Sequence, residues 1–454
     1  MADLELVPDY YWRNLRTVVD TVLDAHPGLF TPEQHAVFEG WRVVPRPAQL
    51  LYARLLLRRG PDFRRSTLAY TEVGDVEAAL AELAEARLVT LEPPLLVVDR
   101  IELFTVAELR VVGQRLGMNL RGRRAAVIEA LLQAPAEAIE ESLRILDPLV
   151  RRHGCSAFSR AQVVFFGNRQ QDMSTFVRVA LDQLRYAEYA VDRSHPLFAD
   201  RAALDAYLAA GSRWDAAFAA RMADDDAALV ALGAEAAEDL VRRAPVAPFR
   251  ARVDPARADS RVVSRAARAH ERLGDHDAAA AGYRLLLQTR RHPPTAARAA
   301  DRLGLLCQRA GDVGTLATDV EGLLAEPNLD EPSLRLVQRR LRLARVGPDP
   351  RHAEPVVPEQ TLLIPPATAA EAEARSGSKA LYRGILGDAV TVEEAVLERL
   401  GGDGVWCGGR STTLFGLFRR RSSRPCRGLP APFQDAPVDR DTPLFYLRRQ
   451  RQQR

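Results

Sequence analysis

The chain has 454 residues, enough for about three domains at roughly 150 residues each. It is 47% hydrophobic and 27% charged, which excludes a chain disordered throughout and permits a sizeable core. Its formal net charge of +3 is too small to argue by itself for any partner.

The opening, Met1-Ala2-Asp3-Leu4-Glu5, lacks a basic then apolar leader, so no signal peptide is expected. Up to about residue 100 helical runs alternate with short loops. Asp75 to Leu83 reads as an amphipathic helix with an acidic first turn, and Leu88-Val89-Thr90-Leu91 as a short strand. Helix then strand at this spacing resembles the end of a winged-helix unit. Next, Thr105 with Glu108 forms a capping box, and Leu109, Val112 and Leu116 repeat along one helix face that Gly117 stops. After a link through Leu120 and Gly122, a second helix is expected to turn Ile128, Leu131 and Leu132 inward. Two short helices joined by an extended link, with Arg115, Arg121, Arg123 and Arg124 around it, resemble a SAP module. These four arginines are the candidate nucleic-acid-binding residues. Cations and helix N-termini set against phosphate oxygens position a protein on DNA without reading its sequence. An ordinary helical hairpin with solvated arginines is the competing interpretation.

Val163-Val164-Phe165-Phe166-Gly167-Asn168 reads as a buried helix ending in a Gly-Asn turn, with Phe176 and Val177 packing back from a second helix. Between about 259 and 327 the chain repeats. Arg272-Leu273-Gly274-Asp275 recurs as Arg309-Ala310-Gly311-Asp312, and Leu286-Leu287 as Leu323-Leu324, both offset by 37 residues. That period is near the roughly 34 of tetratricopeptide repeats, in which Gly-Asp turns join antiparallel helices. With two units clear and about three needed, the stack is expected to lean on a neighbouring segment. The eight histidines show no metal-ligand spacing, and the four cysteines form no CxxC, which suits a reducing compartment. Trp12, Trp41 and Tyr10-Tyr11 are expected in the core rather than as base-stacking platforms. No run of about 18 apolar residues exists, so no membrane span is expected.

Several stretches together resemble the Fanconi-associated nuclease family. They are the opening Tyr10-Tyr11-Trp12-Arg13-Asn14-Leu15, the run Arg54 to Arg64, and Phe165-Phe166-Gly167-Asn168 with Gln171-Asp172, Ser174, Phe176-Val177 and Arg185-Tyr186. The SAP-like and tetratricopeptide-like pairs fall in that family's order. The resemblance implies a mainly α chain: an N-terminal helical domain with a winged-helix-like end (1–102), a SAP-like module (103–134), a helical domain with the Phe-Phe-Gly-Asn motif (135–250) and tetratricopeptide-like repeats (251–346). A partial α/β nuclease domain of the virus-type replication-repair, PD-(D/E)xK kind would follow (347–454). It also implies a structure-selective DNA repair nuclease acting on branched or 5′-flapped DNA, cytoplasmic and nucleoid-associated, with Mg²⁺ or Mn²⁺ held by carboxylates.

The last segment departs from that pattern. Val390 to Leu397, Gly404-Val405-Trp406 and Thr412 to Leu417 match the onset of the nuclease domain. Where the family places a metal-binding glutamate, this chain has Cys407-Gly408-Gly409-Arg410-Ser411. The only lysine is Lys379, two residues after Gly377, so no acidic-x-Lys triplet exists. Residues 410–454 hold eleven arginines and three acids, a local +8, leaving −5 on the preceding 409 residues. The expectation is a family member that binds DNA but lacks catalytic and metal-binding residues through a truncated or shifted frame. Two alternatives stand beside it: an active nuclease completed by a second polypeptide, and a helical-repeat adaptor for protein partners.

Overall fold

The computed structural model describes residues 8–181 and 196–310, together with 316, 320, 323, 333, 335–340, 382–383 and 389–390. It is mainly helical, with small antiparallel sheets. The chain divides into two compact units, with the boundary after Ala206. Among the described residues no helix is long and apolar enough to cross a membrane.

The first unit opens with α1 (Tyr10–Ala25), α2 (Pro32–Val43) and α3 (Arg46–Leu57). Thr31 starts α2 with a reciprocal cap: its hydroxyl accepts from Gln34 N–H at 3.3 Å, and the Gln34 side chain accepts from Thr31 N–H at 3.0 Å. Pro32 at the first helical position costs no hydrogen bond there. These helices close on an aromatic core. Phe158, from α9 (Cys155–Phe166), meets Phe38 at 5.2 Å and Trp41 at 5.8 Å edge-to-face, and Tyr52 at 5.4 Å. Trp41 and Tyr11 are core residues as expected, whereas Trp12 is half-buried, with Arg46 over its ring at 4.9 Å.

The strands β1 (Asp62–Arg64), β2 (Val89–Leu91) and β3 (Leu149–Arg152) form an antiparallel sheet in the order β1-β3-β2, with Asp62 opposite Arg151 and Val89 opposite Arg152. Helix α4 (Val76–Glu85) precedes β2, and Asp75 caps it by accepting from Ala78 N–H at 3.0 Å. Between β2 and β3 run α5 (Val97–Glu102), α6 (Val106–Arg115), α7 (Arg124–Leu131) and α8 (Ala136–Leu146). They share a core of Ile101, Phe104, Leu109, Val112, Leu120, Val127, Leu131, Ile139 and Leu143. On α7 the inward residues are Val127 and Leu131, with Ile128 half-buried. Leu132 is 40% exposed because the helix has ended before it, which corrects the expected inward set.

Helix α9 (Cys155–Phe166) ends at Gly167, which adopts φ +71° and donates to Val163 C=O at 2.9 Å. Asn168 then folds the chain into α10 (Ser174–Ala180): its Oδ1 accepts from Gln170 and Gln171 N–H at 2.9 and 2.8 Å. Phe165 and Phe166 are buried, and Phe176 stacks on Phe165 at 5.6 Å. The Phe-Phe-Gly-Asn motif is therefore a packed helix–turn–helix corner.

From α11 (Arg201–Met222), within which the unit boundary falls, the second unit continues through α12 (Asp226–Arg242), α13 (Ala256–Arg272), α14 (His276–Thr289) and α15 (Pro293–Ala310). Asp225 caps α12 and Asp275 caps α14, each accepting from the N–H three residues on. The first copy of the repeated turn, Gly274-Asp275, joins α13 to α14, with Gly274 at φ +81°. Gly311-Asp312 of the second copy lies outside the described residues. The α12–α13 contact is tight: a Cβ on Gly233 would fall 2.1 Å from Ala266 Cβ. Strands β4 (Tyr382–Arg383) and β5 (Ala389–Val390) pair antiparallel. The sequence from 391 onward, with the nuclease-like wording, lies outside the described residues, as does Lys379.

Candidate nucleic-acid interface

The α6–α7 pair is built from the capping box outward. Thr105 accepts from Glu108 N–H at 3.4 Å, and Glu108 accepts from Thr105 N–H and Oγ1, each at 2.7 Å. The same carboxylate receives the Arg64 guanidinium in a two-pronged pair, at 2.8 and 2.5 Å. Arg64 Nε also reaches the buried Asp147 at 2.8 Å. Burial pushes the Glu108 carboxyl up, but the Arg64 and Thr105 hydrogen bonds outweigh it and hold the group at about 2. Glu108 therefore stays ionised and fixes the start of α6 to β1.

The end of α6 is a Schellman turn. Met118 N–H donates to Gly113 C=O at 2.8 Å and Gly117 N–H to Gln114 C=O at 3.1 Å, with Gly117 at φ +72°. The link then folds back so closely that a Cβ on Gly113 would lie 2.5 Å from Leu120 Cδ1. Arg110 holds the far side of the link by donating to Gly122 C=O at 2.9 Å.

The four candidate arginines take different positions in this frame. Arg124 is committed to the protein: Nη1 donates to Phe104 C=O at 2.6 Å, and Nη2 to Glu102 C=O at 3.1 Å and to the Glu102 carboxylate at 2.8 Å. It seals the C-terminal carbonyls of α5. Arg115 is exposed at the end of α6 and reaches Ser142 C=O only at 3.4 Å. Arg121 and Arg123 are exposed, and neither makes a hydrogen bond or ion pair among the described residues. Arg123 is the N-cap of α7, makes no side-chain cap, and the first turn of α7 carries no acid. The structure thus gathers two uncommitted guanidinium groups at an open helix N-terminus, where unpaired N–H groups and the helix dipole both favour an anion. Sequence reasoning missed Arg64, which fixes the start of α6, and Arg110, which holds the link at Gly122 between Arg121 and Arg123. The Arg110-to-Gly122 bond spans twelve positions, and no local pattern marks it.

Among the described residues no group of three or more His, Cys, Asp and Glu side chains could hold a metal ion. The segment expected to carry a nuclease metal site lies outside them.

Residues 9–90 match the family profile described as FAN1, HTH domain. Among curated proteins, the chain is 28% identical over 208 residues to the Fanconi-associated nuclease 1 homolog of Pseudomonas aeruginosa, a match covering 44% of this chain and 36% of that protein. It is 29% identical over 214 residues to the homolog of Arabidopsis thaliana, covering 43% of this chain and 24% of that one. The matched stretch therefore spans about a third or less of these relatives. Among solved structures, paFAN1 bound to DNA with a two-nucleotide 5′ flap and a gap superposes with a TM-score of 0.65 at 23% identity, covering 98% of this chain and 76% of that one. The one-nucleotide-flap complex gives 0.64 at 24% identity, covering 98% and 77%. At such identity the structural likeness speaks to the fold. The profile and the curated relatives converge with it: the chain is similar to Fanconi-associated nucleases, and its residues 9–90 match the HTH domain of that family.

Proposed function

We propose that the protein is a DNA-repair nuclease family member that engages branched or 5′-flapped DNA through the α6–α7 module. The observation that carries this reading is the pair Arg121 and Arg123, exposed cations with no partner among the described residues, at the start of α7, where no side chain caps the helix and no acid sits in its first turn. It is supported by relatives that are Fanconi-associated nucleases and by neighbours solved with 5′-flap DNA. Cutting would need a carboxylate and lysine set that the sequence lacks around Cys407 and Lys379, so the reading is of a chain that holds such DNA without cleaving it alone.

The test is the salt dependence of flap binding by the full chain. Each neutralised duplex phosphate contributes a slope of about −0.9 in log affinity against log salt. Replacing both arginines, Arg121→Gln with Arg123→Gln, should make the slope shallower by about 1.8. An unchanged slope would remove α7 from the interface. Incubating the same protein with flapped DNA and Mg²⁺ or Mn²⁺ should yield intact DNA, and metal-dependent cleavage would overturn the non-cutting reading.

A further inference from the structure

The second unit holds a set of arginines that its own acids leave unanswered. Arg213 and Arg243 are neutralised by Asp239 and Asp259, Arg302 by Glu271, Arg272 by Asp226 and Arg340 by Asp301. Arg257, Arg261 and Arg265 are different. Four residues apart on α13, they form a row along one helix face at about 6 Å intervals. None of them, nor the exposed Arg298 of α15, makes an ion pair among the described residues. Burial lowers the basicity of Arg261, and the charges of Arg257, Arg298 and Arg265 lower it further. Burial and Arg221 do the same to Arg265. These groups remain cationic, since guanidinium does not lose its proton near neutral pH.

Such an arrangement is unfavourable for the isolated fold. Like charges at i, i+4 repel. Arg265 also keeps a buried Nη1 with no hydrogen-bond partner. Yet its guanidinium is held in place, 3.9 Å from the centre of the Trp214 ring and 5.6 Å from that of Phe218. Arg261 lies 5.7 Å from the same indole. Stacking fixes the plane of a guanidinium and leaves its edge N–H groups for an oxyanion. Phe218 is 53% exposed beside this row, so the cations border an aromatic face open to solvent. An anion would relieve the mutual repulsion. A row about 12 Å long fits successive phosphates of a strand better than one small anion.

We propose that Arg257, Arg261, Arg265 and Arg298, with Trp214 and Phe218 alongside, form a second nucleic-acid site that grips the phosphodiester backbone. This rests on the DNA-binding reading above and adds to it a contact that no SAP-like module supplies. The shared chemistry is a run of phosphodiesters, in duplex or single strand. Aromatic faces beside a basic row favour unstacked bases, and parallel arms with duplex and with oligo(dT) separate the two sources.

The experiment uses the full chain and compares wild type, the triple variant R257Q/R261Q/R298Q, its charge-keeping counterpart R257K/R261K/R298K, and R121Q/R123Q. The glutamine triple leaves the Arg265–Trp214 stack in place. It should melt no lower than wild type, because repulsion is removed. Its salt slope should become shallower by about 2 on at least one of the two DNA forms, and the lysine triple should keep the wild-type slope. If wild type binds and R121Q/R123Q changes the slope while the glutamine triple does not on either DNA, this inference fails and the DNA-binding reading stands. A slope lost equally in the lysine triple would mark a packing role and overturn it as well. A wild-type chain without affinity for either DNA removes both readings together.

Discussion

Glu108 joins a local signal to a distant one. Its capping box with Thr105 is written in adjacent sequence and needs only a helix turn to form. Its pairing with Arg64 comes from 44 positions away and depends on β1 being in place, which no periodicity announces. The two together make its ionisation a stability term. The folded carboxyl sits at about 2 against an unfolded value near 4.5, so the ionised group stabilises the fold fully above about pH 4.5. That contribution drains as pH falls through the interval toward 2. In urea unfolding followed from pH 6 to pH 2.5, Glu108→Gln should be less stable than wild type at pH 6, with the gap narrowing at the acid end. A gap of constant size would show that the ionised carboxylate is not what matters. Gly113 is a second residue-scale case. A methyl there must displace the Leu120 side chain, so Gly113→Ala should cost about 1–3 kcal/mol of stability despite alanine's better helix propensity. Thermal denaturation of that variant reads the cost directly, and a gain in melting temperature would contradict the close approach.

At the level of elements, what was legible followed from period and punctuation. The amphipathic runs of α4 and α6, the Gly117 stop, the Gly167-Asn168 corner and the Gly274-Asp275 turn appear where the sequence expects them, because each is fixed by residues within a few positions. The cap of α2 was equally legible in Thr31 and Gln34, though the apolar pattern there draws less attention. Leu132 faces out rather than in, since it continues the apolar pattern after α7 has stopped. What could not be read was which helices meet. Helix α12 packs on α13 through Gly233 and Ala266. Its contact with α11 and α13 is locked by Arg213, which bonds Asp239 at 2.9 Å and also pairs with the fully buried Asp259. Burial raises the Asp259 carboxyl even though Arg213 and Arg243 pull it down, whereas at Asp239 the arginines outweigh burial. Removing one member leaves buried charge uncompensated. Asp259→Ala should therefore cost about 3–5 kcal/mol in urea unfolding, far more than an exposed ion pair. A loss under about 1 kcal/mol would mean that water reaches the network.

For the whole molecule, charge type matters more than net charge. All but one of the 63 basic residues are arginine, and the exception, Lys379, belongs to neither proposed set of contact residues. A coding bias fits that skew as well as a selected property does, and the physical consequence is the same either way. Every phosphate contact suggested by Arg121 and Arg123 at the start of α7, or by the α13 row, is made by a planar, permanently charged group with fork geometry. No lysine takes part. Chemical modification separates the two cations cleanly. Acetylating amines on the full chain should leave flap affinity within about twofold at fixed salt, because it removes charge only from Lys379 and the N-terminus. Arginine-directed dicarbonyl treatment should abolish binding, and DNA added first should shield the reactive positions, identified by mass spectrometry as Arg121, Arg123, Arg257, Arg261 and Arg298. Arg124, whose N–H groups are spent on the carbonyls of α5, should react slowly with or without DNA. Affinity lost on acetylation alone would move the interface to the region around Lys379, and protection confined to other arginines would move it off both helices.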